Sequence, residues 1–255
     1  MSPFRTRFKK EIVAEFLHPG QRKDWRKGRV IIFCDGMPTT PYKRPFLEFF
    51  SKKGYWVFHP RYRGSWESGG RFLAKSPERD ILDVIDQLPR GFRSLWDGKS
   101  YTIKPKAIYL IASSFGGPAG ILASRDSRVT KVVAVSPVVD WRAPSKAEPM
   151  GFVARFVKDA FGEAYRFSMK DWGKLGGGMF YNPRAYAKEI DGRKIIILHA
   201  RNDDSVSFGP VEKFARAIGA EFLPFRTGGH RILYKIMQPK IYKRIRKFLS
   251  RRLSA

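Results

Sequence analysis

The chain of 255 residues predicts an α/β fold, a mostly parallel and twisted sheet that is flanked by helices. Three observations support this prediction. Apolar runs typical of strands alternate with segments of helical periodicity along most of the chain. The hydrophobic fraction of 43% and the aromatic fraction of 15% are typical of a chain that buries a core. One abrupt strand–turn–helix junction, at residues 112–117, places a serine at the edge of the sheet.

We predict seven strands, over residues 12–17, 30–34, 55–59, 107–113, 131–136, 194–199 and 221–225. Helices are predicted over residues 44–53, 77–87, 117–125, 152–161, 210–218 and 238–252. This order fits a single domain over residues 1–255. The connection between the strands that end near residue 136 and begin near residue 194 is longer than such a fold needs, so residues 138–193 are predicted to form a cap or lid insertion.

The junction at residues 112–117 has the spacing of a nucleophile elbow. Ala112 and Gly116 stand two residues before and two after Ser114, where a tight turn requires small side chains. The turn holds the serine hydroxyl out at the carboxyl edge of the sheet, beside a helix N-terminus that favours negative charge. Ser114 is therefore the candidate nucleophile.

A nucleophilic serine needs a base that takes its proton. The chain has four histidines, and only His199 and His230 follow Ser114. His199 ends a predicted strand, whereas His230 lies in a Gly-Gly turn after the last one. A loop at the carboxyl end of a strand is the expected place for the base, so His230 is the candidate.

An orienting carboxylate and an oxyanion hole complete the expected site. The loop after residues 194–199 offers Asp203 and Asp204; Asp203 is preferred, and its neighbour remains the alternative. The backbone N–H of Phe115 is the first expected oxyanion donor. The second is the N–H of Met37, because Gly36 lets the loop after residues 30–34 turn towards the serine.

Aromatic residues are frequent in the predicted cap. Trp141, Phe180 and Tyr181 are the candidates for substrate contacts. The alternative for each is that it only packs the cap onto the core.

The chain is strongly basic, with 50 Lys and Arg against 23 Asp and Glu and a net charge of +27. Residues 231–252 contain no acid. Basic termini favour binding to an anionic partner, either nucleic acid or an anionic surface. Alternatively, the basic residues form the solvated face of a closing helix, because apolar residues recur there at helical spacing, at Ile241, Ile245, Phe248 and Leu249.

Other classes of protein are disfavoured. No apolar run approaches the roughly 20 residues of a transmembrane helix. The basic N-terminus lacks the apolar segment of a secretory signal, and the single cysteine, Cys34, cannot form an internal disulfide, so a cytoplasmic location is expected. The histidines are scattered, so we expect neither a metal nor an organic cofactor.

Several segments, in a shared order, resemble the α/β-hydrolase superfamily, and more closely the catalytic domain of the prolyl oligopeptidase family of serine peptidases. Residues 62–70 resemble its YRGS-type loop, and residues 113–117 its double-glycine elbow. Residues 135–142 are similar to its strand followed by an SPVTDW turn. Residues 181–183 and 199–206 resemble its approach to the acid.

The resemblance implies an α/β-hydrolase fold and a serine hydrolase that acts through an acyl-enzyme on small peptides or acyl-peptides. A carboxylesterase and a non-catalytic basic scaffold that binds nucleic acid are the alternatives. Members of this type usually carry an N-terminal β-propeller, for which 255 residues leave no room. Asp35 stands where the family often has Tyr or His, and we expect its carboxylate to point away from the oxyanion or to pair with a cation.

Overall fold

The computed structural model describes residues 2–20, 28–145 and 147–251. Eight strands of this part of the chain form one sheet. They are β1 (Phe4–Phe8), β2 (Ile12–Leu17), β3 (Arg29–Cys34), β4 (Tyr55–Pro60), β7 (Ala107–Ser113), β8 (Val129–Val135), β9 (Ile195–Ala200) and β10 (Glu221–Phe225). Two short strands, β5 (Phe92–Arg93) and β6 (Ser100–Tyr101), pair with each other in a separate sheet.

The helices of the described residues are α1 (Arg44–Lys52), α2 (Glu78–Gln87), α3 (Gly116–Ala123), α4 (Met150–Phe161), α5 (Met169–Gly173), α6 (Phe208–Ile218) and α7 (Pro239–Ser250). Short 3₁₀ segments lie at Gly162–Ala164, Lys174–Gly177, Pro183–Glu189, Gly192–Lys194 and Leu233–Met237. The segment from β8 to β9, which includes the predicted insertion, contains α4, α5 and four of these 3₁₀ segments.

The strand order in the large sheet is β1-β2-β4-β3-β7-β8-β9-β10. From β4 to β10 every neighbouring pair is parallel, whereas β2 is antiparallel to both β1 and β4. The central strands are buried almost throughout because helices cover both faces, and two apolar clusters fill the two faces. The predicted fold class, a mostly parallel sheet flanked by helices, is confirmed.

Residues Phe4–Phe8 form an edge strand that the sequence analysis did not predict. Arg5 and Arg7 alternate there with more buried residues, so the segment is only half apolar and resembles a charged terminus. The strand owes its pairing to β2, from Phe4 opposite Phe16 to Phe8 opposite Ile12.

Helix α7 closes the described chain and is amphipathic, as its spacing predicts. Ile245, Phe248 and Leu249 are buried, while Arg244 pairs across to Glu221 at 3.2 Å. The basic residues therefore lie on the outer face of a packed helix. Their affinity for nucleic acid or an anionic surface stays a prediction.

Candidate active site

Ser114 lies at the turn between β7 and α3, in a left-handed backbone conformation with φ of 52°. The serine carbonyl accepts hydrogen bonds from Gly117 N–H (2.8 Å) and Val138 N–H (3.1 Å). A Cβ at residue 116 would lie 2.2 Å from the carbonyl oxygen of Cys34, so only glycine lets the helix start so close to the end of β3. The turn therefore presents the serine in a fixed, strained geometry.

The histidine and the carboxylate predicted for the site are brought to Ser114 from two separate loops. His230 Nε2 lies 2.8 Å from Ser114 Oγ. On the other side of the ring, His230 Nδ1 lies 2.9 Å from Oδ2 and 3.1 Å from Oδ1 of Asp203. Hydroxyl, imidazole and carboxylate thus form a continuous hydrogen-bonded series, which has the geometry of an activated nucleophile.

Backbone groups hold the buried carboxylate of Asp203 in place. Its Oδ1 accepts hydrogen bonds from the N–H groups of Ser205 (3.0 Å) and Val206 (2.8 Å). Burial raises the pKa of Asp203, but the hydrogen bond to His230, the charge of that histidine and the backbone donors outweigh burial and leave the pKa below its ordinary value. The acid is therefore ionised at neutral pH.

The alternative acid, Asp204, takes no part in these contacts. Its side chain is exposed, and among the described residues it makes neither a hydrogen bond nor an ion pair. His199, the alternative histidine, is buried, and its Nε2 donates to the carbonyl of Val206 at 2.9 Å. Its place is beneath the acid loop and not at the serine.

The loop after β3 lies against the serine, as the sequence predicts. A Cβ at Gly36 would lie 3.2 Å from Cβ of Ser114. In the parts of the chain that the structure describes, neither the N–H of Met37 nor that of Phe115 donates to a protein acceptor. Two free amides next to a nucleophile are the groups an oxyanion hole requires.

Asp35, which begins this loop, is paired with cationic and polar groups. Its Oδ2 lies 3.0 Å from Nζ of Lys43 and 3.2 Å from Nε2 of His59. Burial raises the pKa of Asp35, but the hydrogen bond from His59 and the charge of Lys43 hold it below its ordinary value. Of the two expectations for Asp35, pairing with a cation is the one that the structure shows.

Ser114 lies between two cavities. The first is a small cavity of about 80 Å³ with an apolar wall, formed by residues such as Val138, Val139, Trp141, Val153, Trp172 and Val211. The second is a broader cleft of about 790 Å³ on the His230 side, bordered by Phe152, Phe156, Phe161, Arg231 and Tyr234. The two groups on either side of a carbonyl bound at Ser114 would therefore lie in separate cavities.

The three aromatic candidates for substrate contacts lie in different places. Trp141 lines the apolar cavity beside Ser114. Tyr181 is buried beneath the elbow, where its hydroxyl donates to the carbonyl of Phe115 at 2.6 Å. Phe180 lies under the ammonium of Lys174, 5.3 Å from the ring centre. Neither Phe180 nor Tyr181 is among the described residues that line the two cavities at Ser114.

Pro144, Ser145 and Glu148, at the start of the predicted insertion, are hydrogen-bonded to the acid loop, residues 203–207. Ser145 Oγ donates to the carbonyl of Ser205 at 2.7 Å, and Ser205 Oγ donates to Oε1 of Glu148 at 2.7 Å. Ser207 Oγ donates to the carbonyl of Pro144 at 2.8 Å. These contacts tie the insertion to the loop that carries the acid.

Several residues that border the serine were not predicted from the sequence. Val138, Val139 and Val153 form much of the apolar cavity wall, and Lys43 pairs with Asp35. Isolated valines and a lysine before a helix carry no sequence signal of such roles, because the cavity is assembled from segments that are distant in sequence. Only the position of Val138 and Val139, directly after the strand–turn at residues 135–137, could have suggested them.

The described residues offer neither a metal site nor a membrane span. No group of three or more His, Cys, Asp or Glu residues there could hold a metal ion. None of the helices described is both long enough and apolar enough to cross a bilayer.

The profile of the prolyl oligopeptidase family matches residues 43–255. Among curated proteins, no sequence matches the chain.

Solved structures of hydrolases share the fold at low sequence identity. An acylaminoacyl peptidase from Pyrococcus horikoshii superposes with a TM-score of 0.66 at 19% identity, over 99% of this chain and 41% of that chain. The chain therefore spans about two fifths of the length of that peptidase. An esterase from Pyrococcus furiosus has a TM-score of 0.68 at 19% identity, over 97% of this chain and 89% of that one. Est1E from Butyrivibrio proteoclasticus matches over 98% of this chain and 100% of its own, with a TM-score of 0.65 at 12% identity.

Proposed function

Because the chain belongs to the prolyl oligopeptidase family and is a serine hydrolase of the peptidase or esterase type, we propose that it cleaves small peptides or acyl-peptides through an acyl-enzyme on Ser114. The observation that carries this proposal is the series of contacts from Ser114 Oγ to His230 Nε2 (2.8 Å) and from His230 Nδ1 to Asp203 Oδ2 (2.9 Å). A nucleophile, its base and an orienting carboxylate in hydrogen-bond contact form an activated serine.

In the proposed reaction, Ser114 Oγ bonds to the substrate carbonyl carbon while its proton passes to Nε2 of His230. Asp203 accepts the hydrogen bond from Nδ1–H and stabilises the imidazolium charge. The oxyanion accepts hydrogen bonds from the backbone N–H groups of Phe115 and Met37. The bond to the leaving group then breaks as His230 donates its proton to that group. A water molecule, deprotonated by the same histidine, next attacks the acyl-enzyme, which releases the acid and restores the serine.

The two cavities support a division of the substrate at the scissile bond. The apolar cavity that Trp141 lines suits an uncharged acyl group or side chain, and the broader cleft on the His230 side suits the leaving portion. In this proposal residues 138–193 act as the cap of a single domain over residues 1–255, since Val138, Trp141 and Val153 come from that segment.

A carboxylesterase that acts on small acyl esters is the second candidate. The fold similarity to the Pyrococcus furiosus esterase favours it, because the match covers 89% of that enzyme, whereas the acylaminoacyl peptidase is matched over 41% of its length. An ester needs less stabilisation than an amide in the transition state, so the same serine site would serve both reactions.

The mechanism is tested by labelling with a fluorophosphonate probe. We expect the wild type to label and Ser114→Ala to remain unlabelled. Ser124→Ala is the matched control, because Ser124 lies at the end of α3, where its hydroxyl donates to the carbonyl of Ile121. Equal labelling of the wild type and Ser114→Ala would refute the assignment of the nucleophile.

Rates with p-nitrophenyl acyl esters and with N-acyl-aminoacyl-p-nitroanilides then separate the two candidates. Turnover of the anilides supports the peptidase. Turnover of the esters alone supports the carboxylesterase.

A further inference from the structure

Behind the oxyanion loop lies a buried cluster of ionisable side chains that the proposed reaction does not use. Asp35 and Lys43 are each 7% exposed, His59 is 1% exposed and Arg61 is 3% exposed. Burying charged groups is costly unless they are paired and hydrogen-bonded, so such a cluster next to a reacting centre calls for a physical explanation.

The hydrogen bonds within the cluster fix the protonation of its histidine. Arg61 Nη1 lies 3.1 Å from Nδ1 of His59, and a guanidinium only donates, so Nδ1 is the acceptor and the ring proton sits on Nε2. That Nε2–H donates to Oδ2 of Asp35 at 3.2 Å. Burial and the neighbouring charge of Arg61 lower the pKa of His59, so the ring is neutral. The ion pair at the loop is therefore Asp35 with Lys43.

Lys43 joins the two ends of the loop. Its ammonium lies 3.0 Å from Oδ2 of Asp35, where the loop begins. It also donates to Oγ1 of Thr39 (2.9 Å) and to the carbonyl of Thr40 (3.0 Å), where the loop ends. All three ammonium protons are used, so one side chain closes residues 35–40 into a ring of fixed size.

Asp35 transmits this restraint to the backbone next to the nucleophile. Its second oxygen, Oδ1, accepts a hydrogen bond from Gly36 N–H at 2.8 Å. The next N–H along the chain is that of Met37, the candidate oxyanion donor. A Cβ at Gly36 would be only 3.2 Å from Cβ of Ser114, so a small movement of the loop changes the distance between this donor and the reacting carbonyl.

From these contacts we propose that the Asp35–Lys43 ion pair is a positioning device that holds the Met37 N–H at the oxyanion and keeps the Asp35 charge neutralised while the oxyanion forms. The inference rests on the proposed serine mechanism. Lys43 and Asp35 are positioning residues and not catalytic ones, because they act on the oxyanion through the loop.

Two effects are expected when Lys43 is replaced by methionine. The loop loses its closure, and the Asp35 carboxylate, which keeps its hydrogen bonds from His59 and Gly36 N–H, is left without a counter-charge near a developing negative charge. Losing a whole oxyanion donor costs about 10²- to 10³-fold in rate, and a displaced donor costs less. We expect Lys43→Met to lower kcat/KM for a p-nitrophenyl acyl ester roughly 10- to 100-fold.

Removing both charges should cost less than removing one. In Asp35→Asn/Lys43→Met no carboxylate charge remains. The oxygen of the introduced side-chain amide still accepts from Gly36 N–H, while its NH₂ group faces Nε2–H of His59, so one hydrogen bond is lost in place of an ion pair. We expect this double variant to be at least about threefold more active than Lys43→Met. A double variant that is worse than the single one would overturn the electrostatic part of the proposal.

Lys174→Met is the matched control. Lys174 also makes three hydrogen bonds, to Asp171 Oδ1 (2.7 Å) and to the carbonyls of Leu73 and Ala74 (both 3.1 Å), but it lines neither cavity at Ser114. If loss of a lysine with three hydrogen bonds acts only through general loosening of the fold, both variants should lose activity equally. The proposal requires Lys174→Met to stay within about threefold of the wild type.

A boronic acid separates positioning from folding. Phenylboronic acid adds to an active serine as a tetrahedral anion, which places an oxygen in the oxyanion hole. The proposal predicts that its inhibition constant rises in Lys43→Met by about the factor that kcat/KM falls, while KM changes by less than threefold and the thermal midpoint stays measurable. Unchanged boronate affinity together with a large rise in KM would refute it.

The experiment also distinguishes failure of the inference from failure of the proposed function. A wild type that hydrolyses the ester and binds the boronate, with Lys43→Met doing both equally well, refutes the inference alone. A wild type that neither labels with fluorophosphonate nor binds the boronate refutes the serine mechanism, and the inference with it.

Discussion

Replacement of Asp203 by asparagine tests the geometry of the site most directly. In the structure Oδ1 of Asp203 accepts two backbone hydrogen bonds, from Ser205 N–H (3.0 Å) and Val206 N–H (2.8 Å). An asparagine at this position must turn its oxygen towards those two donors, because its NH₂ group cannot accept them. The NH₂ group then occupies the position of Oδ2, which lies 2.9 Å from Nδ1 of His230.

An NH₂ group that faces Nδ1 exchanges the donor and acceptor roles of the two ring nitrogens of His230. Nδ1 must then accept, so the ring proton moves to Nε2, which faces Ser114 Oγ at 2.8 Å and can no longer take the serine proton. The corresponding change in serine proteases costs about 10⁴-fold in kcat. That factor equals about 5.4 kcal/mol of transition-state stabilisation. We expect Asp203→Asn to lose a comparable factor while remaining folded at neutral pH.

The assay is steady-state hydrolysis of a p-nitrophenyl acyl ester, with the thermal midpoint as a check on folding. Asp204→Asn is the matched control, because the neighbouring side chain is exposed and is expected to leave kcat within twofold. A loss below tenfold in Asp203→Asn, or a larger loss in Asp204→Asn, would refute the assignment of the acid.

Four further predictions follow from the structure. Gly116→Ala should lower the thermal midpoint by several degrees, because its Cβ would meet the backbone oxygens of Cys34 and Asp35 at 2.2 and 2.4 Å, whereas Gly177→Ala, with no atom within 4 Å of its Cβ, should leave the midpoint nearly unchanged. The acid limb of kcat/KM against pH should show one ionisation and not two, because Asp203, whose pKa lies below its ordinary value, is already ionised there. Because the pKa of Asp203 is lower in the folded than in the unfolded protein (about 3.9), its carboxylate stabilises the fold above about pH 3.9, and this stability is lost as the pH falls through the folded-state pKa. Acid denaturation of the wild type and of Asp203→Asn, compared side by side, would show this loss. Cys34 should react with a thiol reagent only after denaturation, since burial and then the charge of Asp35 raise the pKa of its thiol and no part of the residue is exposed.

The parts of the fold that sequence predicted well are those whose signal is local. β2, β7 and β10 have the predicted bounds, because each is an apolar or alternating run that turn residues end. The elbow was also predictable, because the tight turn requires small residues at fixed positions within a segment of six. The edge strand β1 was not, because its arginines give it half the apolar character of a buried strand.

The parts that sequence could not predict depend on contacts between distant segments. Asp203 and Asp204 are adjacent in sequence, and the contact of Asp203 with Nδ1 of His230, supported by the backbone donors of Ser205 and Val206, shows which of the two faces the histidine. The cation that pairs with Asp35 is Lys43, eight residues away and one of 50 basic side chains. Tyr181 and Trp141 were equal candidates for the pocket; the hydrogen bond of Tyr181 to the carbonyl of Phe115 places it under the elbow, whereas Trp141 lines the cavity.

If residues 138–193 form the proposed cap, the hydrogen bonds of Pro144, Ser145 and Glu148 to the acid loop have a consequence for the size of substrates. Lifting the beginning of the cap would pull on the serines that border Asp203, so a ligand bulky enough to force this side open would also disturb the alignment of His230. We expect turnover to fall steeply with acyl length while affinity declines little, and a parallel decline of both across a series of p-nitrophenyl esters would contradict this. Rejection of oversized molecules would then occur after they bind, through a misaligned imidazole, and not at the mouth of the cavity.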